Sequence, residues 1–334
     1  MNYLVFIYGI ISFLATLFVT PWLIRYLRRI GLNVKDQNKE NKPFVPISGG
    51  LAVLFGVMAG LLVFIFYRTF FSTNNIGLVI NERNLMLIFA AMISLLIITL
   101  IGFLDDLVID KNKESSAGLR QWQKPILTLT AAIPLMAINA GTTEIALPLL
   151  GTIDIGIIYP LILIPIGVIG ASNMVNMLAG FNGLEAGMGI VYVGMLGLYA
   201  YVNDRYIAAL IALVTLGALI AFYFYNKFPA KILAGDSLTY FLGGVIAVIA
   251  ILGNIERAAI IASIPFFIEF ILKARSKFQA KSYGYNVNGK IKSYHDKIYS
   301  LPHLLTIKGK YTEKQIVYTF ILFELFCSSL IWLI

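Results

Sequence analysis

The sequence predicts an all-α polytopic membrane protein of about ten transmembrane helices, and three observations carry that prediction. Of the 334 residues, 59% are hydrophobic and only 13% charged, roughly half the charged share of a soluble domain. The apolar residues gather in runs of roughly 17 to 25, the length a helix needs to cross a bilayer. Lys and Arg fall almost entirely in alternate loops, as the positive-inside rule expects.

Ten spans are predicted: 3 to 24, 48 to 67, 85 to 104, 125 to 140, 156 to 172, 186 to 202, 206 to 226, 237 to 253, 257 to 272 and 315 to 333. The first twenty residues hold no Lys or Arg, so span 1 reads as a retained helix and not as a basic, cleaved leader. Span 3 closes in "LIGFLDDLVID", where Asp105, Asp106 and Asp110 sit at a helix C-terminus whose partial negative charge repels them. The outer segment "GTTEIALPLLGTIDI", 141 to 155, alternates polar and β-branched residues around Pro148 and Gly151 and predicts a small hairpin. Span 5 ends in Asn173 and Asn176, span 8 opens on "AGDSLTYFLGG", span 9 carries Glu269 with Lys273 at i+4, and Glu324 lies deep in span 10 as a helix contact or a dimer interface. A homodimer is therefore carried as a partner.

With the N-terminus outside, the loops 25 to 47, 105 to 124, 227 to 236 and 273 to 314 are cytoplasmic and hold 22 of the 26 Lys and Arg. The net charge of +9 then needs no nucleic acid; anionic membrane lipids and an anionic substrate are the counterparts. A single cysteine, Cys327, excludes an intrachain disulfide and disfavours a zinc cluster. No fixed-period repeat, low-complexity tract or flexible linker divides the chain, so one membrane domain spans 1 to 334.

The unusual residues all fall on the cytoplasmic side. Three carboxylates set against a helix dipole call for a nearby cation. Asp105 and Asp106 project about 100° apart, so different roles are expected for the pair. "NMVNMLAGFNGLEAG", Asn173 to Gly187, supplies Asn176, Gly180, Asn182 and Glu185; such residues cap helices, and amide carbonyls are also hard ligands for Mg²⁺ and partners for a nucleobase. Asp236 suits an N-cap equally well. Together with Asn176, Asp105 and Asp106 it would form an all-oxygen site suited to Mg²⁺ or Mn²⁺. The basic loop from Lys273 reads as lipid-facing decoration or as a pyrophosphate clamp, with Arg275 for bidentate contact and Lys277 and Lys281 beside it. His303 is a polar surface residue or a further substrate contact.

Taken together, "DQNKENKPFVPISGG", "GFLDDLVID", "RQWQKP", "NMVNMLAGFNGLEAG", "AGDSLTYFLGG" and "LPHLLTIKGKYTEKQIV" resemble the polyprenyl-phosphate N-acetylhexosamine-1-phosphate transferase family, nearest its dolichyl-phosphate GlcNAc-1-phosphate transferase branch. The resemblance implies ten spans, a cytoplasmic active site and transfer of GlcNAc-1-phosphate from a UDP-N-acetylhexosamine to a polyprenyl or dolichyl phosphate, releasing UMP. It implies Mg²⁺ held by Asp236 and Asn176, Asp105 and Asp106 lining the site, uracil near Gly180, Asn182 and the backbone of Gln37, phosphates near Lys124, and Trp122 close to the sugar. The chain departs from the family in having Asn182-Gly183 where the bacterial branch has Asp-Gly, in lacking the Pro-Arg-His-Arg segment of the dolichol branch, and in reducing the bacterial triple histidine to His303. The rival class is a multi-span transporter or flippase of a lipid-linked or nucleotide sugar. That class needs charges at mid-bilayer or paired inverted repeats, and mid-span charge is almost absent here.

Overall fold

The computed structural model describes residues 5–71, 81–110, 115–116, 118–147 and 151–334, and it is built from helices running back and forth across one slab. The long ones are α1 (Val5–Arg29), α2 (Gly50–Phe70), α3 (Glu82–Leu107), α6 (Ile164–Met177, entered through a π-helical turn Tyr159–Leu163), α7 (Leu184–Val202), α8 (Tyr206–Asn226), α9 (Gly235–Gly253) and α13 (Glu313–Ser329). Eight helical segments among the described residues are long and apolar enough to cross a membrane.

Spans 4 and 9 of the sequence reading are corrected from single helices to broken ones. The first is α4 (Gln123–Thr130) followed by α5 (Ile133–Ala137), the second α10 (Glu256–Ala262) followed by α11 (Ile264–Ala274). The breaks fall just before Pro134 and Pro265, each in the first turn of the second piece, where a ring without an N–H cannot continue the preceding ladder. Both pairs still run the full depth of the slab. At one end of the first, Lys124 meets Asp105 in the last turn of α3; at the other, the Arg83 guanidinium, from the first turn of α3, donates to the carbonyls of Ile138 and Asn139 at 2.6 and 2.7 Å. Glu256 at the start of the second accepts the Tyr159 hydroxyl at 2.5 Å, and Ser282, beyond its far end, donates to the Met177 carbonyl at 3.1 Å. Among the described residues, the eight long helices and these two broken pairs give ten helical passes across the slab.

Helix α9 is the hub, with every residue from Ser237 to Gly253 buried. Lipid tails offer no hydrophobic advantage over neighbouring helices, so close backbone packing has to supply the cohesion. Glycines permit it: a Cβ on Gly102 of α3 would lie 2.3 Å from the Asp236 carbonyl oxygen, and one on Gly243 2.4 Å from Ser172 Cα of α6. This crowding draws the lower ends of α3, α6 and α9 together.

Outside the slab, β1 (Asn33–Lys35) pairs antiparallel with β2 (Phe44–Pro46), and β3 (Ile109–Asp110) with β4 (Ser115–Ser116). The predicted outer hairpin is present as β5 (Glu144–Leu147) with β6 (Gly151–Asp154), in register Glu144 to Asp154, while Pro148 lies outside the described residues. The long basic loop folds into β7 (Gly284–Val287), β8 (Lys290–Ser293) and a single helical turn, α12 (His303–Thr306).

Candidate active site

The carboxylates at the end of α3 find positive partners outside their own helix. Asp106 is fully buried. Its Oδ1 accepts the Asp236 backbone N–H at 2.7 Å, and its Oδ2 accepts the Ser237 N–H at 3.1 Å and the Ser48 hydroxyl at 2.9 Å. Asp106 thus serves from a distant helix as the cap that α9 lacks locally, and the positive end of α9 offsets the negative end of α3. The approach requires Gly235, whose φ is +72° and whose Cβ, if present, would sit 2.4 Å from Asp106 Oδ2. The resemblance implies that Asp106 lines the site; in the structure its two oxygens are engaged by the Asp236 and Ser237 N–H groups and the Ser48 hydroxyl, an arrangement that fixes the start of α9.

Asp105 turns the other way. Its Oδ1 accepts the Leu119 N–H, and its Oδ2 lies 2.6 Å from Lys124 Nζ. Lys124, the cation called for by the dipole argument, also reaches Asp236 Oδ2 at 3.3 Å, so the ammonium bridges two helices. Asn176 Nδ2 lies 3.4 Å from the same Asp236 oxygen, and its Oδ1 accepts the Thr239 hydroxyl at 2.7 Å. Four elements, α3, α4, α6 and α9, therefore deliver Asp105, Lys124, Asn176 and Asp236 to one point at one face of the slab.

Two cavities meet there. The smaller, of 260 Å³, is lined by Asp36, Gln37, Gly180, Asn182, Glu185 and Asp236 among others. Its walls are tied by hydrogen bonds: the Gly180 N–H donates to Glu185 Oε1 at 2.7 Å, the Asn38 amide donates to the Gly180 carbonyl at 2.6 Å, and the Asn182 N–H donates to Glu313 Oε1 at 2.8 Å. The larger, of 600 Å³, runs between α4, α6 and α11. Pro125, Ile169, Met174, Phe270 and Phe278 give it an apolar wall, and Lys124, Lys273 and Lys281 a cationic end. Ala179 and Tyr283 line both cavities.

Gln37, Gly180, Asn182, Glu185, Asn176, Asp236, Asp105 and Lys124 are thus brought together. Trp122, Arg275 and Lys277 are not: all three are exposed and line neither cavity. The chain turns at Ser276 and Lys277 (φ +54°), carrying their side chains off, and Lys273 and Lys281 take the cavity positions. Glu324 is buried within the chain, its Oε1 accepting the Ser328 hydroxyl at 2.6 Å, which makes it an intramolecular helix contact. Sequence reasoning passed over Asn38, Asp36, Tyr283 and Glu313. Asn38 joins three segments, bonding Gly180, the Gly284 N–H at 3.3 Å and the Asn286 amide at 3.2 Å. The only signal for Asp36 and Asn38 was their place in "DQNKENKPFVPISGG".

His303, expected at the substrate or on the surface, is fully buried beneath the basic loop. Its Nε2 lies 2.8 Å from the Lys281 carbonyl oxygen, and its Nδ1 accepts the Tyr299 N–H at 3.1 Å. Burial pushes its pKa below the ordinary 6.5, and the nearby Lys273 ammonium acts in the same direction. The unfolded chain therefore takes up the proton more readily. The stability held by neutral His303 is complete above pH 6.5 and drains away as the pH falls from there through the lowered value. Thermal unfolding scans across this range should show His303→Gln less stable than the parent at neutral pH, with the gap narrowing on acidification; a pH-independent gap would refute the assignment.

Comparison with known proteins adds to this geometry. The model of glycosyl transferase family 4 matches residues 88–254, which run from α3 to the end of α9. A Saccharolobus solfataricus protein provisionally named UDP-N-acetylglucosamine–dolichyl-phosphate N-acetylglucosaminephosphotransferase is 37% identical over 314 residues, 92% of this chain and 89% of that one. A Sulfolobus acidocaldarius protein of the same provisional name is 32% identical over 92% of this chain and 89% of its own length. The phospho-N-acetylmuramoyl-pentapeptide-transferase of Halalkalibacterium halodurans is 31% identical over 78% of each chain. Similarity of this extent, reaching through the helices that build the Lys124 and Asp236 cluster, makes the protein a member of glycosyl transferase family 4.

Proposed function

We propose that the protein transfers an N-acetylhexosamine-1-phosphate, GlcNAc-1-phosphate in the first instance, from its UDP-sugar to a polyprenyl or dolichyl phosphate at the cytoplasmic face, leaving lipid-pyrophosphate-sugar and UMP. The observation that carries this reading is a pair of unlike cavities that share Ala179 and Tyr283, with Asp236 in the wall of one lying 3.3 Å from Lys124 and 3.4 Å from Asn176 in the wall of the other. The smaller, walled by hydrogen-bonding groups, suits a nucleotide; the larger, apolar with a cationic end, suits an isoprenoid with a phosphate head. The names of the two archaeal relatives describe that pair of substrates. The cytoplasmic assignment is supported by the 22 of 26 Lys and Arg in the loops on the side of the site.

The reaction is a displacement at phosphorus. An oxygen of the lipid phosphate bonds to the β-phosphorus while the bond from that phosphorus to the bridging oxygen breaks, and UMP carries the electron pair away. Both reactants are anionic, so the work lies in alignment and charge compensation. Lys124 stands where the cavities join and offsets charge on the transferring phosphoryl group. Asp105, buried and ion-paired, aims that ammonium. The lipid phosphate has a second pKa near 6, so it needs orientation more than a strong base. Lys281, whose ammonium lies 5.6 Å from the Tyr283 ring, receives the phosphate head in the larger cavity, while the buried Lys273 donates to the Ala280 carbonyl and lies 3.8 Å from Glu269.

The donor set fits Mg²⁺, with Mn²⁺ as a substitute. Among the described residues no three His, Cys, Asp or Glu side chains cluster to hold an ion alone. Asp236 would supply one hard oxygen and Asn176 a second once its amide turns its oxygen from the Thr239 hydroxyl toward Asp236, with phosphate and water the remainder, as is usual for Mg²⁺ bound with nucleotides. Bound there, the ion would neutralise pyrophosphate charge. Incubating purified protein with polyprenyl phosphate, Mg²⁺ and a panel of UDP-sugars should release UMP, most rapidly from UDP-GlcNAc, and EDTA should halt the release until Mg²⁺ is restored. Mn²⁺ binding in the presence of UMP, followed by electron paramagnetic resonance, should vanish in Asp236→Ala; unchanged Mn²⁺ binding in that variant would remove Asp236 from the metal site.

A further inference from the structure

Asn182 is 3% exposed at the wall of the smaller cavity, and its side-chain nitrogen lies 3.0 Å from Asp36 Oδ2. Asp36 is itself 5% exposed and fixed in place: its Oδ1 accepts the Asn38 N–H at 3.2 Å, and its Oδ2 lies 3.5 Å from the Lys39 ammonium. A carboxylate paired with an ammonium only accepts hydrogen bonds. The Asn182 amide must therefore turn its NH₂ toward Asp36 and its carbonyl oxygen away from it. An amide side chain is ordinarily free to flip by half a turn, and here a charge decides the direction. The backbone of Asn182 is held separately, through its N–H to Glu313.

Direction matters because pyrimidines differ along one edge. Uracil presents an N3–H donor beside the O4 acceptor; cytosine presents an N3 acceptor beside an amine donor. An amide with its carbonyl oxygen offered and one N–H beside it matches uracil and opposes cytosine, and the flipped amide does the reverse. We propose that Asp36, as a positioning residue acting through Asn182, makes the site choose uridine over cytidine nucleotides. The inference rests on the nucleotide reading of the smaller cavity, and its test separates the two.

Full-length protein is titrated calorimetrically with UMP and with CMP in the parent, in Asp36→Asn and in the double variant Asp36→Asn/Asn182→Asp. The parent should prefer UMP by about tenfold or more, the scale of a two-bond base contact. In Asp36→Asn the new amide can donate as well as accept, so Asn182 is released, and the preference should contract about tenfold with CMP binding becoming tighter. The double variant places the carboxylate at position 182, where it accepts both from the amide at 36 and from uracil N3–H, and the preference should return. A merely structural Asp36 would weaken both nucleotides alike and gain nothing from the exchange, and either result overturns the proposal. If the parent binds neither nucleotide, the reading of the cavity fails and the inference with it; if the parent prefers UMP and Asp36→Asn keeps the full preference, the inference alone fails.

Discussion

Lys124→Ala should cut the rate of UMP release by about a hundred- to a thousandfold, the range seen when one preorganised charge-stabilising group is removed from a transition state. The expectation follows from where the ammonium stands, 2.6 Å from Asp105 and 3.3 Å from Asp236, at the junction of the cavities. Without it Asp105 faces two phosphorylated reactants with no ammonium between, and the charge that Lys124 offsets on the transferring group goes uncompensated. The loss should fall mainly on kcat, because charge concentrates as the phosphoryl group moves. The same change strands a fully buried carboxylate, so the unfolding temperature should fall as well. Adding Asp105→Asn should restore stability without restoring turnover. Recovery of both together would mean that Lys124 matters only to the fold.

Asp106→Ala should act first on the fold. It removes the acceptor of two backbone N–H groups and the Ser48 hydroxyl at a fully buried position, a loss of about 2 to 4 kcal/mol given the usual cost of orphaned buried donors. Activity should disappear with it, since the N–H group that Asp106 holds belongs to Asp236. Asp106→Asn keeps one acceptor oxygen and should lose less. Unfolding midpoints in detergent, read beside turnover, settle the matter: an Asp106→Ala protein as stable as its parent yet inactive would return Asp106 to the chemistry.

The contrast between the adjacent aspartates marks where sequence reasoning stops. Runs of apolar residues gave the crossings because length and hydropathy alone are read out by a bilayer, and span 7, 206 to 226, coincides with α8. The breaks at Pro134 and Pro265 were legible in residue type, but only the contacts of Arg83 and Glu256 reveal that the chain continues across after each. A dipole argument called for a cation near the aspartates and could not say that Asp105 would take Lys124 while Asp106 took the amide end of another helix, since that depends on how closely Gly102 lets α9 approach. Loop residues fared similarly. Gly180, Asn182 and Glu185 lie within one quoted segment and are found in one wall, whereas Arg275 and Lys277 share a basic run with Lys281 and point elsewhere, because a turn at Ser276 and Lys277 reverses the chain.

The larger cavity is bordered by Phe270 and Phe278, 40% and 37% exposed at the rim of the slab. A long-chain acceptor arriving past them travels within the plane of the membrane, so its encounters are counted per unit area and not per litre. Diluting the system with more detergent or more carrier lipid at fixed total acceptor should slow the enzyme as though substrate had been withdrawn, while the water-borne sugar donor would notice no difference.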